Sequence, residues 1–392
     1  MPSPEPRHSP GFDPEREGVP RGGPDWVQIL SLLGLLGIGF VFIHSTGNAF
    51  DRGGSALLFR QAQWACLGGC LWAVCALIDY RSALFRLLVC LLYASVIVLL
   101  IFTLRFGVRI YGATRWLAVG PLRLQPSEFA KTVMVLFLAV VFSVPRFDIN
   151  KKAGLLLSLL IFTTPFFLIA REPDLGSAAV LLPAYIGMVF CAGLKWRSIL
   201  LATVAVLLIG GTVVLNETMR FKPLLREYQR DRIRVFFNPD SDRRHRGYNV
   251  YQSRLAVGSG GFSGKGIGRG EQNTLGFLPH TVANNDFIFS VIAEETGYVG
   301  SLVLLALYAL FMYSIWRTAF LAQDSLGRFI ASGIGCIMIF HIFVNIGMSI
   351  GIAPVTGLPL PFVSYGGSFI LSGMAACGIL QSIYRRRRRR EL

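Results

Sequence analysis

The sequence is short of charge. Only 15% of its 392 residues are Asp, Glu, Lys or Arg, against about 25% in ordinary soluble domains. A soluble core of this size would need polar helix faces that this chain lacks. Metal-ligand spacing is missing too. The seven cysteines (Cys66, Cys70, Cys75, Cys90, Cys191, Cys336 and Cys377) sit in apolar stretches without a C-x-x-C pair, and read as small buried hydrophobes. The five histidines are scattered and form no H-E-x-x-H, so no metal site is expected from spacing. No short apolar segment with a small-residue cleavage site precedes the first long apolar run, and no removable signal peptide is expected.

What is present is apolar. Hydrophobic residues make up 53% of the chain, and several runs of about 20 residues can cross a hydrocarbon core of roughly 30 Å. The expected fold is an all-α integral membrane protein with ten transmembrane helices, at 26–45, 58–78, 84–104, 126–144, 153–170, 176–194, 197–215, 287–316, 328–350 and 363–384. A large extracytoplasmic loop, 216–286, separates the seventh from the eighth. Residues 1–25, with seven prolines, read as a disordered cytoplasmic tail. Residues 385–392 form a basic cytoplasmic tail closing the membrane domain 26–384.

An even count puts both termini on one side. The short loops of the other side and their flanks hold only Arg52, Arg60, Arg105, Arg109, Arg115, Arg123 and Arg171, which makes the termini cytoplasmic. The net charge of +16 would suggest nucleic acid on a soluble protein. Here the run Arg385–Arg390 follows an apolar helix directly, which suits anchoring on anionic lipid instead. The four arginines of 105–125 run against the charge rule and suggest a loop that uses positive charge.

Several constellations could carry chemistry. "GSGGFSGKGIGRG" (258–270) fails as a P-loop, because Ser259 and Gly266 stand where a glycine and a hydroxyl residue are needed. It reads as a close-packed turn, or as an anion contact made by backbone amides and Lys265. In "QPSEFAK" a helix starts at Pro126 and Ser127, and Glu128 and Lys131 share one face. They are a self-satisfied ion pair or part of a site. Arg115 and Trp116 precede them, as an interface anchor on the plainer reading. "AREPDLGSA" (170–178) crowds charge into a short turn, where Asp174 either caps the next helix or lines a site. "IAPVTGLPLPFVSYGGS" (352–368) is non-helical at membrane depth, tolerable only inside protein or beside water. It brings the hydroxyls of Ser364 and Tyr365, with no histidine nearby to activate a serine.

"LPHTVANNDFIFSVIAEETGYVGS" (278–301) carries three carboxylates. Asp286 stands at the mouth of an apolar helix, where Asn284 or Asn285 could cap equally well. A single accessible carboxylate beside arginines suits a general base acting on a hydroxyl, with the arginines on a phosphate leaving group. Glu294 and Glu295 lie roughly 12 Å deeper and must pair inside the protein, with Lys131 as a candidate partner.

Together these stretches resemble the SEDS family of bacterial cell-wall polymerases, the RodA/FtsW type, with forms nearer RodA. The matching pieces are "RW" with "QPSEFAK", "EPDLGS", "YQRDRIRVFFNP", "GYNVYQSRLAVGSGGFSGKGIGRG", "LGFLPHTVANNDFIFSVIAEETGYVG" and "GIAPVTGLPLPFVSYGGS", in family order from 112 to 368. The resemblance implies a peptidoglycan glycosyltransferase that polymerises lipid II by a single inverting transfer and releases undecaprenyl pyrophosphate, with Asp286 as the catalytic base. By position, Arg115, Lys131 and Arg232 are candidates for the pyrophosphates or for holding the site, and Trp116 and the glycine-rich segment for lining a lipid-facing groove. The resemblance also implies a class B penicillin-binding protein as partner, an elongation or division complex, the inner membrane as location, and leaves open a divalent cation (Mg or Mn) at the pyrophosphate. The chain departs from the family at Arg171-Glu172, where many members carry glutamine before Pro-Asp, and in the longer "PHTVANND" ahead of the aspartate. A lipid II flippase and a non-enzymatic scaffold for a synthase are the alternative classes.

Overall fold

The computed structural model describes residues 22–48, 54–110, 113–119, 122–198 and 247–387, with isolated positions between 200 and 236. Much of the expected span 197–215, Arg232, and most of the first half of the large loop lie outside the described residues, as do residues 1–21 and most of the basic tail.

The fold is a bundle of long apolar helices: α1 (Trp26–Asn48), α2 (Gly54–Leu77), α3 (Ala83–Phe106), α4 (Pro126–Phe142), α5 (Lys152–Arg171), α6 (Leu175–Cys191), then α7 (Tyr248–Ser259), short turns α8 (Glu271–Thr274) and α9 (His280–Ala283), and α10 (Ile288–Leu321), α11 (Ser325–Ile350) and α12 (Gly367–Arg385). Among the described residues, six helices are long and apolar enough to cross a membrane, and Leu175–Cys191 is a shorter apolar helix. The chain is a multi-pass membrane protein. Several helix starts have a local cause. Ser82 caps α3 through the Phe85 amide, Asp174 caps α6 through that of Ser177, and Asp324 caps α11 through that of Gly327. Pro126 opens α4, where its missing N–H costs nothing. Gly351, at φ 83°, ends α11 in a left-handed turn.

Of the six helices long and apolar enough to span, α11 and α12 are the most buried and α3 and α5 the least. α12 packs on α2, α10 on α1, and α11 on α4, α6 and α10. α10 is kinked at Gly297, whose φ of 66° and ψ of −157° interrupt the helix.

Two expectations change. Residues 105–125 are not simply a loop: β1 (Val108–Ile110), β2 (Ala113–Val119) and β3 (Leu122–Leu124) form a small antiparallel sheet in the order β1-β2-β3. Val108 pairs with Trp116 and Leu117 with Leu124. The runs Val108-Arg109-Ile110 and Leu122-Arg123-Leu124 alternate apolar and charged residues at the strand period, so their arginines belong to a strand pattern. The second change is at Asp25, assigned above to the tail. It is buried and caps α1 through the amides of Val27 and Gln28, at 3.0 and 3.2 Å. Ser314 donates to it at 2.8 Å and Arg317 pairs with it at 2.5 Å. The ordered membrane domain therefore begins before Trp26.

The first and last described residues meet. The Gly22 amide donates to the Arg385 carbonyl at 2.8 Å, and Arg387 donates to that of Gly23 at 3.1 Å. Ile288, beside Asp286, and Ser314, beside Asp25, are separated by roughly 40 Å along α10. Asp286 thus stands at the end of the bundle opposite Gly22 and Arg387.

Candidate active site

Asp286 lies in the turn between α9 and α10. Its amide and that of Phe287 both donate to the Val282 carbonyl, at 3.0 and 2.9 Å. Phe287 is the N-cap of α10, and no side chain caps that helix, so the plainer reading of Asp286 as a cap does not hold. The residue is partly buried. Asn345 of α11 donates from Nδ2 to the Asp286 carbonyl at 2.9 Å and to the Leu358 carbonyl at 2.7 Å. One side chain therefore pins the aspartate's turn to the non-helical segment after α11.

That segment, 351–366, crosses protein interior. Its carbonyls are met by side chains: Pro359 by His341 Nδ1 at 3.2 Å, Pro361 by the Tyr308 hydroxyl at 2.7 Å, and Ser364 by Gln61 Nε2 at 3.2 Å. Ser364 accepts from the Leu360 amide at 2.8 Å and donates to the Asn285 carbonyl at 2.5 Å, while the Tyr365 amide donates to Asn284 at 2.9 Å. This satisfaction allows irregular backbone inside an apolar bundle. Ser364 thereby holds the Asn284–Asp286 turn in place. Gly357, at φ 75°, brings bare backbone against the aspartate: a Cβ there would lie 3.4 Å from Asp286 Oδ2.

The charged turn after α5 joins the same place. A Cβ on Gly176 would be 2.7 Å from the Thr356 carbonyl, so the start of α6 rests on the residue before Gly357. Asp174 caps α6 with Oδ1 and accepts from Gln125 Nε2 on Oδ2 at 3.0 Å. Arg115 Nη1 stands 3.7 Å from Asp174 Oδ1, and Nη2 donates to the Pro173 carbonyl at 2.5 Å. Arg115 Nε is buried without a hydrogen-bond partner, and so are both carboxyl oxygens of Glu172. Burial pushes the Glu172 carboxyl up to about 9, the Asp174 charge adds to the rise, and Arg115 opposes it. The sequence-expected Arg115, Asp174 and Asp286 are thus brought to one end of the bundle. Trp116 is half-buried on β2 across from Val108.

Glu128 and Lys131 pair inside the bundle at 2.8 Å, with side-chain exposures of 5% and 2%. Lys131 also lies 3.1 Å from His341 Nε2. The expected pairing of Lys131 with Glu294 or Glu295 is therefore corrected, because the carboxylate three residues earlier on its own helix face takes the ammonium. His341 and Asn345 escaped the sequence reading. They stand one turn apart on an otherwise apolar span, and that i, i+4 polar pair was the available signal.

Glu294 and Glu295 are held by the glycine-rich segment. Lys265 pairs with Glu294 at 2.9 Å and with Glu271 at 3.2 Å, and the Gln272 amide donates to Glu294 at 3.1 Å. Glu295 accepts from Ser45 of α1 at 2.7 Å and from the Gly268 amide at 3.0 Å. The amides of Lys265 and Gly266 donate to the carbonyls of Glu294 and Glu295. A Cβ on Gly264 would meet the Glu295 carbonyl at 2.2 Å. The segment is thus a close-packed turn, and the anion its amides cradle is the protein's own glutamate pair. Desolvation works against the Lys265 charge, but the hydrogen bonds and charges of Glu294 and Glu271 outweigh it and raise its pKa.

Comparison with known proteins places this geometry in a family. A family model described as "Cell cycle protein", FtsW/RodA/SpoVE, matches residues 26–389. The chain belongs to the FtsW/RodA/SpoVE family. Among this family member's relatives, peptidoglycan glycosyltransferase MrdB of Escherichia coli K12 is 42% identical over 306 residues, covering 76% of this chain and 78% of that protein. Peptidoglycan glycosyltransferase RodA of Treponema pallidum is 33% identical, covering 92% of this chain and 97% of that one. Among solved structures, a chain of a peptidoglycan synthase complex that coordinates polymerization and crosslinking superposes with a TM-score of 0.77 at 30% identity, covering 93% and 98%. Thermus thermophilus RodA superposes with a TM-score of 0.68 at 28% identity, covering 94% and 99%. The FtsW/RodA/SpoVE fold is thus matched across nearly the whole length.

Proposed function

We propose that this protein is a peptidoglycan glycosyltransferase that polymerises lipid II, with Asp286 as general base. The observation that carries the reading is the convergence of Asp286, Gly357 and the Arg115–Asp174 turn at the end of the bundle opposite Gly22 and Arg387. The Asp286 carboxylate takes the proton of the acceptor sugar's 4-hydroxyl. The hydroxyl oxygen attacks the anomeric carbon of the donor, the bond from that carbon to the pyrophosphate breaks, and the configuration inverts. Undecaprenyl pyrophosphate leaves as an anion that needs no acid, so one carboxylate suffices. Asp286 then returns the proton to water.

Arg115 is the cation on hand for the pyrophosphate. Its side chain is a quarter exposed, at 26%, and a guanidinium binds phosphate oxygens well. Arg232, outside the described residues, is a second candidate. Lys131 is too buried to meet a substrate directly, and we assign it to holding α4 against α11. We give a divalent cation no step. Asp174 has both oxygens engaged, Glu172 is in the acid form, and the described residues contain no group of three or more metal-binding side chains.

The membrane is the bacterial cytoplasmic membrane, with the termini inside and Asp286 facing the cell-wall compartment. The likeness to a synthase-complex chain supports a cross-linking class B penicillin-binding protein as partner, in elongation or division. Purified full-length protein is expected to convert lipid II into glycan strands resolved on a gel. A preparation that folds and translocates lipid II yet forms no polymer, alone or with a partner synthase, would overturn the reading.

A further inference from the structure

The outer halves of α3 and α5 leave a groove of about 400 Å³ between them, within the roughly 300–1,000 Å³ typical of ligand clefts. Ile97 and Ile101, one turn apart on α3, face Phe167 and Leu168 of α5 across it. Thr163 and Thr164 also line it, but their hydroxyls donate to the Leu159 and Leu160 carbonyls at 2.8 Å each. Neither hydroxyl has a proton left to donate, and the walls are mainly hydrocarbon. At one end stands Arg171, the last residue of α5, exposed and in no ion pair among the described residues.

We propose that this groove holds the membrane-proximal isoprene units of the polyprenyl chain of the lipid-linked substrate, with Arg171 on its phosphates. The inference rests on the glycosyltransferase reading above. Its support is continuity and charge. Arg171 precedes Glu172, Pro173 and Asp174, the turn that Arg115 grips, so the cationic end of the groove adjoins the turn that carries the site's other arginine. From Arg171 the groove descends past Phe167 to Thr164, roughly 10 Å along α5, which is the direction a chain takes from the interface into hydrocarbon. α3 and α5 are also the least buried of the six helices long and apolar enough to span, so a lipid can enter sideways from the bilayer. An unpaired arginine at this boundary suits a phosphate partner.

The test is photo-crosslinking in full-length protein reconstituted in phospholipid nanodiscs with lipid II, with a photoreactive residue at Phe167 and, as control, at the equally exposed Phe343 of α11. The expected result is a polyprenyl adduct at Phe167 several-fold above that at Phe343, and a several-fold higher KM in Ile101→Trp for lipid II but not for a short-prenyl analogue. Phospholipid adducts alone at Phe167, or equal effects of Ile101→Trp on both substrates, overturn the proposal. Polymer formation in the same unirradiated sample separates the two readings. Polymer with only phospholipid adducts defeats the groove and leaves the activity standing, whereas absence of polymer defeats both.

Discussion

The Asn345 amide reaches the backbone carbonyl of Asp286 at 2.9 Å while also holding the carbonyl of Leu358 at 2.7 Å. The proposed base is thus positioned through its main chain by a helix that contributes no charge to the site. Asn345→Leu keeps the volume but leaves two buried carbonyls unmet, at about 1–3 kcal/mol each. It also frees the aspartate's turn, and a displacement of about 1 Å costs on the order of 100-fold in rate. We expect lipid II polymerisation to fall by that order, with a lower melting temperature in detergent. An unchanged rate would show that Asn345 does not position the base.

Asp286→Ala removes the base without touching a helix cap, since α10 has no side-chain cap. The expected loss of polymerisation is about 10²–10⁴-fold, with the melting curve close to wild type. Asp286→Asn should lose as much, because an amide occupies the space but accepts no proton at neutral pH. Full activity in either variant would remove Asp286 from the mechanism.

The long helices were legible because the apolar runs and their starting residues agree: Ser82, Pro126 and Asp174 each open a helix where the apolar pattern begins. The Asp174 cap and the Glu128–Lys131 pair were legible for the same local reason, being three residues apart or fewer. Long-range pairing was not. Glu294 finds Lys265 across a loop, and Ser45 meets Glu295 across 250 positions, and no local period encodes such contacts. The small sheet was masked by arginines that looked like loop charge. Asp25 was masked by its proline-rich surroundings, although its cap and its ion pair with Arg317 belong to the bundle. At the candidate site, Asp286 stood out both as a lone carboxylate at the mouth of an apolar helix and through the resemblance, while Asn345 and His341 were hidden inside a span that composition reads as plain membrane helix.

Lys265 separates a structural from a substrate-binding role. In the structure it neutralises Glu294, whose side chain is fully buried, and is itself 23% exposed. Lys265→Met leaves that carboxylate unpaired, and removing one partner of a buried pair costs about 3–5 kcal/mol; the partial exposure of Lys265 favours the lower end. The double variant Lys265→Met with Glu294→Gln should recover part of the loss, with a coupling of about 1–3 kcal/mol. Chemical or thermal unfolding in detergent measures both. Unchanged stability in Lys265→Met, combined with a raised KM for lipid II, would instead assign Lys265 to the substrate.

Glu172 gives the protein a pH dependence of defined sign. Its carboxyl is pushed from an ordinary 4.5 up to about 9 in the folded state, by burial first and the Asp174 charge second. Between these values the unfolded chain has released the proton and the folded chain keeps it. The folded state binds more protons, so stability falls as pH rises, by at most about 1.4 kcal/mol per pH unit. The contribution is complete below about 4.5 and lost by about 9. Glu172→Gln keeps the shape and carries no proton to lose. It is expected to melt higher than wild type at pH 8, with the gap narrowing as pH falls toward 5. Because the acid form of Glu172 is close in shape to an amide, the same variant should retain polymerising activity at neutral pH and hold it further into the alkaline range. A gap that stays constant between pH 5 and 8 would mean that Glu172 is ionised in the folded protein, and that the Arg115–Asp174 turn carries one more negative charge than we assign to it.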